Sequence, residues 1–394
     1  MFSRSYANLY YLFSDVFGVD IPALKLFQSF GFFMALAFMG AAFFLYRDLK
    51  RKEKLGLLKS YFKVIEVGAP ATPFELISNG IMGFIIGFKI LDLVLNFDER
   101  IVNPQAWLAS GQGNFIGGLL GAAVMAGIRW YEKNKEKLDK PHKVTIEFKP
   151  HQQIGDIVMM AAVGGILGAK LFYLFESPGN FTEFMKNPLG SFFGGLTIYG
   201  GLIIGAIVVL WFAHRRNMDS VQLADSAAPT LLLANGIGRL GCHVAGDGDW
   251  GDPNTAPKPD WLSWLPDRWW SFDYAHNVNQ VGEQIDGCVG QYCTVLPVPV
   301  YPTPLYEFTM LAILFSILWS IRKKVKVPGL IFSIYLIFNG VERFTIEQIR
   351  VNTKLDFIGL PLTQAEFIAI CFALAGVVGL FVFTKRYKNS LAAK

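Results

Sequence analysis

The chain has 394 residues, of which 53% are hydrophobic, 15% aromatic and 17% charged, with a net charge of +5. This balance excludes a soluble nucleic-acid-binding protein: the Lys and Arg residues sit in short clusters between apolar stretches that reach the roughly 20 residues a bilayer-spanning helix needs. It describes an all-α polytopic membrane protein.

Residues 1–25 lack the basic n-region, apolar run and small-residue cleavage site of a signal peptide, and read as an aromatic, amphipathic segment lying at the membrane interface. Nine spans follow, at about 26–46, 76–95, 114–128, 154–175, 192–212, 221–241, 305–321, 329–345 and 365–383. Basic clusters at 47–54, 129–137, 214–216, 322–326 and 385–388 all fall on the inner side if the N-terminus is outside and the C-terminus inside. The third span is short and glycine-rich.

The words GFK (87–89) and GNFIGGL (113–119) recur as GAK (168–170) and GSFFGGL (190–196), each pair ending in a basic cluster. A duplicated helical hairpin within residues 26–242 accounts for this recurrence. Residues 243–303 form the longest polar connection, placed outside as a small head that carries Trp250, Trp261, Trp264, Trp269 and Trp270 and lies in the headgroup layer. Cys288 and Cys293 lie in this head, where a disulfide and two unpaired thiols are both open readings. Residues 304–394 hold the last three spans and a short inner tail.

GIGRLG at 236–241 satisfies G-x-G-x-x-G, but an apolar helix precedes the glycines and a polar segment follows, so the strand-turn-helix context of a dinucleotide site is missing. Arg239 is the informative residue. An arginine near a membrane helix end is costly to desolvate and must pair with a carboxylate or face something anionic, here at the depth of lipid phosphate. In NGVERFTIEQIR, Arg343, Glu347 and Arg350 share one helical face at i, i+4 and i+7. YPTPLYE opens the seventh span with Tyr301, Tyr306 and Glu307 at the same level. Asp247, Asp249 and Asp252 lack the length and terminal Glu of a calcium loop and read as a hydrogen-bonded turn.

The words YGGLIIG (199–205), D-x-x-A-P (225–229), NGIGRLGC (235–242) followed by GDGDWG, PTPLYE (302–307) and RFTIEQIR (343–350), in this order, resemble the bacterial prolipoprotein diacylglyceryl transferase family over about residues 154–384, with a weaker SFG match at 29–31. The resemblance implies a multi-pass protein of the bacterial inner membrane, with a periplasmic N-terminus and head and a cytoplasmic C-terminus. The implied activity moves the diacylglyceryl group of phosphatidylglycerol to the lipobox cysteine thiol of a prolipoprotein, forming a thioether and releasing glycerol phosphate. No metal, cofactor or nucleic acid is implied.

Arg239 and Arg343 take the positions of the family's two functional arginines, and Glu347 would orient Arg343 or receive a proton. Asn235, Gly200, Gly201, Gly238, Cys242, Asp247, Tyr301, Tyr306, Glu307 and Asp225 are the implied substrate contacts. Three departures stand out. Tyr199 and Tyr301 occupy positions where the family typically has His; Tyr199 keeps a catalytic assignment, and His243 is read either as a replacement base or as a hydrogen-bonded structural group. GDGDWG is one residue longer than its counterpart, so the alignment of Asp247 against Asp249 stays open. Two extra spans and the enlarged head exceed the usual seven-helix plan. The alternative function, a transporter of a lipid or anionic solute, would use Lys89, Asp92 and Lys170.

Overall fold

The computed structural model describes residues 4–176, 178–186, 197–350, 355–357 and 360–392. Its described helices are α1 (Leu9–Phe17), α2 (Ser29–Lys54), α3 (Pro73–Leu95), α4 (Phe97–Arg100), α5 (Pro104–Ala109), α6 (Phe115–Lys135), α7 (Ile154–Glu176), α8 (Pro178–Lys186), α9 (Ile198–Arg215), α10 (Ser220–Ala245), α11 (Thr303–Ile321), α12 (Leu330–Glu347) and α13 (Gln364–Ala392). Among the described residues, each of the nine expected spans falls on one of these helices. Five helices among the described residues are long and apolar enough to cross a membrane: α2, α3, α7 with the turn before it, α11 and α13. The other four are shorter in apolar length or carry polar groups; α10, for example, contains Asp225, Asn235, Arg239 and His243. Residues 192–196 of the fifth expected span lie outside the described residues.

The chain divides into two compact units, one of residues 59–218 and one of residues 1–58 with 219–394. The 59–218 unit holds two helical hairpins built alike. Where α3 meets α6, a Cβ on Gly87 would lie 2.1 Å from the Gly117 carbonyl oxygen, and one on Gly121 equally close to that of Gly83. Where α7 meets α9, a Cβ on Gly168 or Gly200 would lie 2.4 Å from the other's carbonyl oxygen. Only glycine permits such backbone approach, the usual basis of tight helix pairing in membranes. The matching entry bonds are Asn114 N–H to Phe88 O (2.8 Å) and Thr197 N–H to Ala169 O (3.1 Å).

The packing counterpart of IGGL at 116–119 is therefore YGGL at 199–202. The sequence pairing with 190–196 lies outside the described residues.

The same unit contains an antiparallel two-stranded sheet, β1 (Tyr61–Val67) with β2 (His142–Phe148), in register Tyr61 to Phe148 through Val67 to His142. These alternating seven-residue stretches were not expected in an all-helical reading, because they lie in polar connections too short to register as spans. Lys89 and Asp92 are consumed by structure: Lys89 Nζ donates to the carbonyls of Trp107, Ser110 and Gln112 at 2.8–2.9 Å, and Asp92 accepts from Arg100 Nε (2.9 Å) and Trp107 Nε1 (2.7 Å).

In the other unit, α10 is the central helix, packed on α2, α11 and α12. Its apolar contacts with α11 and α12 run through Ala228, Leu232, Leu311, Leu318 and Ile331. At the end of α2 that bears the first basic cluster, a charged hub ties three helices together. Asp48 accepts from Arg51 Nε (2.9 Å), Arg322 Nε (3.0 Å) and Ser226 Oγ (2.8 Å), while Lys52 Nζ donates to the Gln222 carbonyl (2.7 Å).

The N-terminal segment is packed into the fold. Tyr6, Leu9 and Leu12 are buried against Phe33 and Val244, and Tyr6 N–H bonds the Val244 carbonyl at 2.7 Å. The 243–303 region adds β3 (Glu283–Gln284) paired with β4 (Thr294–Val295) and its own core of Phe272, Tyr274, Leu296 and Val300. Cys288 and Cys293 form a disulfide. A third short sheet pairs β5 (Leu355–Phe357) with β6 (Leu360–Leu362).

Candidate active site

The glycines of GIGRLG act as packing surfaces. A Cβ on Gly241 would lie 2.7 Å from Phe33 Cβ on α2, and one on Gly236 would lie 3.3 Å from Leu311 Cβ on α11. Close approach on two sides fixes the rotation of α10, so Arg239 emerges between its neighbours about two turns before the left-handed cap at Gly246 (φ 64°).

Three guanidinium groups converge on Glu307, which is 1% exposed in the first turns of α11. Arg239 Nε lies 2.7 Å from Glu307 Oε2, Arg350 Nη1 3.4 Å from Oε1, and Arg343 Nη1 4.0 Å from Oε2. Arg343 Nη2 also pairs with Glu347 at 2.9 Å, as the i, i+4 spacing anticipates. Asp249 closes the ring by bonding Arg239 through Oδ2 and Arg350 through Oδ1, the latter at 2.6 Å. Arg343 Nη1 is buried and has no hydrogen-bond partner among the described residues. The cluster thus holds an arginine donor aimed inward and still open.

The turn GDGDWG is what brings Asp249 here. Gly251 N–H bonds the Tyr301 carbonyl (2.9 Å), Asp252 N–H the Ile349 carbonyl (2.9 Å), and Thr303 Oγ1 the Asp249 carbonyl (2.8 Å). A Cβ on Gly251 would lie 2.5 Å from the Ile349 carbonyl oxygen, so glycine is required for the turn to lie against the end of α12. Burial alone would raise the Asp249 carboxyl, but Arg239 and Arg350 hold it below the usual carboxylate value. Asp247 goes the other way, pushed up first by burial and then by the charge of Asp249. Ligand atoms of Cys242, Asp247 and Asp249 all lie within 4.8 Å of one another. Both Asp249 oxygens are committed to arginines, which makes this an ion-pair cluster rather than a set of free metal ligands.

Of the residues expected from sequence, the structure brings together Arg239, Arg343, Glu347, Glu307, Cys242 and Asp247. Gly238 lies on the same helix, where a Cβ would meet only Met34 Sδ at 3.6 Å. Asn235 is exposed one turn before Arg239, on the same helical side. Tyr306 bonds the Trp269 carbonyl through its hydroxyl (2.5 Å), which ties α11 to the head, and Tyr301 packs edge-on against Trp270 at 5.8 Å within the head.

Two residues are not brought to the cluster. Asp225 accepts the N–H groups of Gly329 (2.7 Å) and Phe332 (2.8 Å), capping the start of α12. It lies 14 residues before Arg239 on one helix, about 21 Å along the axis at 1.5 Å per residue. His243 is 5% exposed, with Nδ1 3.0 Å from the Tyr274 hydroxyl and its ring 5.1 Å from that of Phe272. Those contacts belong to the aromatic core of the head and match the structural alternative for this histidine. Tyr274 itself is fully buried, which pushes its phenol well above the usual value.

Gly200 and Gly201 belong to the other unit, where they pack against Gly168 and Gly165. Tyr199 is in the first turn of α9, and its side chain lies outside the described residues. Sequence reasoning did not assign site roles to Arg350 and Asp249. The shared face of Arg343, Glu347 and Arg350 was a usable signal for the first, whereas the second depends on a non-local turn.

Residues 119–382 match the family model described as prolipoprotein diacylglyceryl transferase. The chain is 28% identical over 262 residues to the phosphatidylglycerol--prolipoprotein diacylglyceryl transferase of Bordetella bronchiseptica, covering 65% of this chain and 86% of that protein. It is 29% identical over 238 residues to the Streptococcus uberis protein of the same name, covering 60% and 80%, and 29% identical over 238 residues to that of Clostridium tetani, covering 58% and 79%. With two thirds of its length matched in motif order, and with Arg239, Glu307 and Arg343 gathered in one buried cluster, the chain belongs to the prolipoprotein diacylglyceryl transferase family.

Proposed function

We propose that the protein is a membrane transferase that moves the diacylglyceryl group of phosphatidylglycerol onto the lipobox cysteine thiol of a prolipoprotein, with the arginine cluster around Glu307 as its phosphate site. The observation that carries this reading is the convergence of Arg239, Arg343 and Arg350 on one buried carboxylate, with Arg343 Nη1 still open as a donor. The reaction is displacement at a saturated carbon with a phosphate ester leaving. Guanidinium groups held in a dry setting stabilise charge on the departing phosphate and do not need to reorganise when it develops.

Glu307, Asp249 and Glu347 hold the three arginines in place, and the entering phosphodiester takes over part of their bonding. Asn235, Gly238, Cys242, Asp247, Tyr301 and Tyr306 are assigned to the walls around the substrate. Tyr199, Gly200 and Gly201 are assigned by family resemblance. The geometry favours no direct role for Asp225 or His243.

In this reading the nine helices at the expected places span the bacterial inner membrane, with the N-terminus and the 243–303 head in the periplasm and the C-terminus in the cytoplasm. The partition into an interfacial segment (1–25), six spans (26–242), a head (243–303) and three further spans (304–394) belongs to the same proposal. So does a hairpin duplication, which the matching glycine contacts of α3–α6 and α7–α9 support. The test is incubation of the purified protein with glyceride-labelled phosphatidylglycerol and a lipobox peptide. Label should appear on the cysteine in thioether linkage, and its absence from the peptide would defeat the transferase reading.

A further inference from the structure

Glu342 has no part in the roles above. It directly precedes Arg343 on α12, is 2% exposed, and its Oε1 has no hydrogen-bond partner among the described residues. The charges that act on it are those of Glu307 on α11, Arg239 on α10, and Arg343 and Arg350. Tyr335 lies two turns earlier on its own helix. From α13, Glu366 is engaged elsewhere, accepting from Gln348 Nε2 (2.6 Å) and Thr363 N–H (2.7 Å).

The other carboxyls that hold the arginines are occupied. Glu307 and Asp249 take Arg239 and Arg350, and Glu347 takes Arg343. Among the described residues, no arginine is bonded to Glu342. A carboxyl buried without a partner is destabilising, and an apolar residue would serve the helix better at this position, so its presence points to use. An oxygen that no donor engages keeps its lone pair for an incoming proton.

Resting on the transferase reading, we propose that Glu342 accepts the proton of the lipobox thiol. The S–H proton moves to Glu342 Oε1 while the sulfur electron pair forms the S–C bond to the glyceryl carbon. The C–O bond to phosphate breaks, and its electron pair leaves on the phosphate oxygen beside Arg239 and Arg343. Glu342 then returns the proton to solvent as the products depart, so one thiol and one phosphodiester give one thioether, one glycerol phosphate and one proton.

The test uses the full chain in detergent with phosphatidylglycerol and a lipobox peptide, followed from acidic to alkaline pH. E342Q should lower kcat by about 10²–10⁴-fold, the usual contribution of a positioned base, with KM for the lipid within about threefold of the parent. E342D should keep part of the activity with a displaced pH profile, and added formate should restore turnover to E342A. Should E342Q fail to fold, the E342D profile and the formate rescue of E342A decide the matter. Parental turnover and pH profile in E342Q would overturn the proposal. So would activity loss in E342A without rescue, accompanied by an unmoved profile in E342D. A parent protein that forms no thioether would instead remove the transferase reading.

Discussion

Replacing Arg239 with Lys keeps the positive charge and removes the fork. In the structure one guanidinium serves two carboxylates from different directions, Nε to Glu307 at 2.7 Å and Nη1 to Asp249. An ammonium is a single point donor group and cannot span both while also presenting a donor to phosphate. If Arg239 stabilises the leaving phosphate, the loss should resemble that of one preorganised oxyanion donor, about 2.7–4 kcal/mol, or roughly 10²–10³ in kcat. R239A should add a structural defect, because Glu307 and Asp249 lose a shared counter-ion; breaking a buried pair in this way costs about 3–5 kcal/mol. The two variants therefore separate by assay. R239K should show near-parental thermal stability and strongly reduced thioether formation at saturating phosphatidylglycerol, whereas R239A should lose both. An R239K protein whose kcat stays within about threefold of the parent would refute the assignment of the fork to the phosphate.

Asp225→Ala removes the acceptor for the Gly329 and Phe332 N–H groups, and should cost about 1–3 kcal/mol of stability with little change in kcat/KM of the folded fraction. A selective rise in KM for the lipid would restore Asp225 as a substrate contact. Gly87→Val places a side chain 2.1 Å from the Gly117 carbonyl oxygen, so cysteine cross-links engineered between α3 and α6 should form less readily than in the parent. The acid limb of stability offers a third check. Burial works to raise Asp249 but the arginines win, so its folded value lies below the unfolded one. Its contribution is present above the ordinary carboxylate value of 3.8 and disappears as pH falls through the depressed value. Thermal melts should show D249N losing less stability than the parent across that acid window, and identical acid limbs would contradict the pairing. Asp247, raised by burial and by the charge of Asp249, contributes with the opposite sign and less strongly in D249N, but its window lies above 3.8 and so outside the acid range compared here.

The sequence by itself determined where helices form, which is a local property of apolar runs and their charged ends. It also marked Arg239, Glu307 and Arg343 as charges in need of partners, since an isolated charge within an apolar helix needs one. The i, i+4 pair of Arg343 and Glu347 was legible for the same reason: both residues lie on one helix, whose geometry fixes their spacing. The tertiary structure alone decided the pairings between elements. It selected Gly200 as the contact of Gly168, because backbone approach depends on the rotation of two helices and not on the spelling of a glycine word. It sent Asp225 to a helix start, His243 to the head's aromatic core and Asp249 to the arginines, through contacts across 104, 31 and 101 residues. Such long-range juxtapositions leave no periodic trace in the chain, because they arise only when separately formed elements pack.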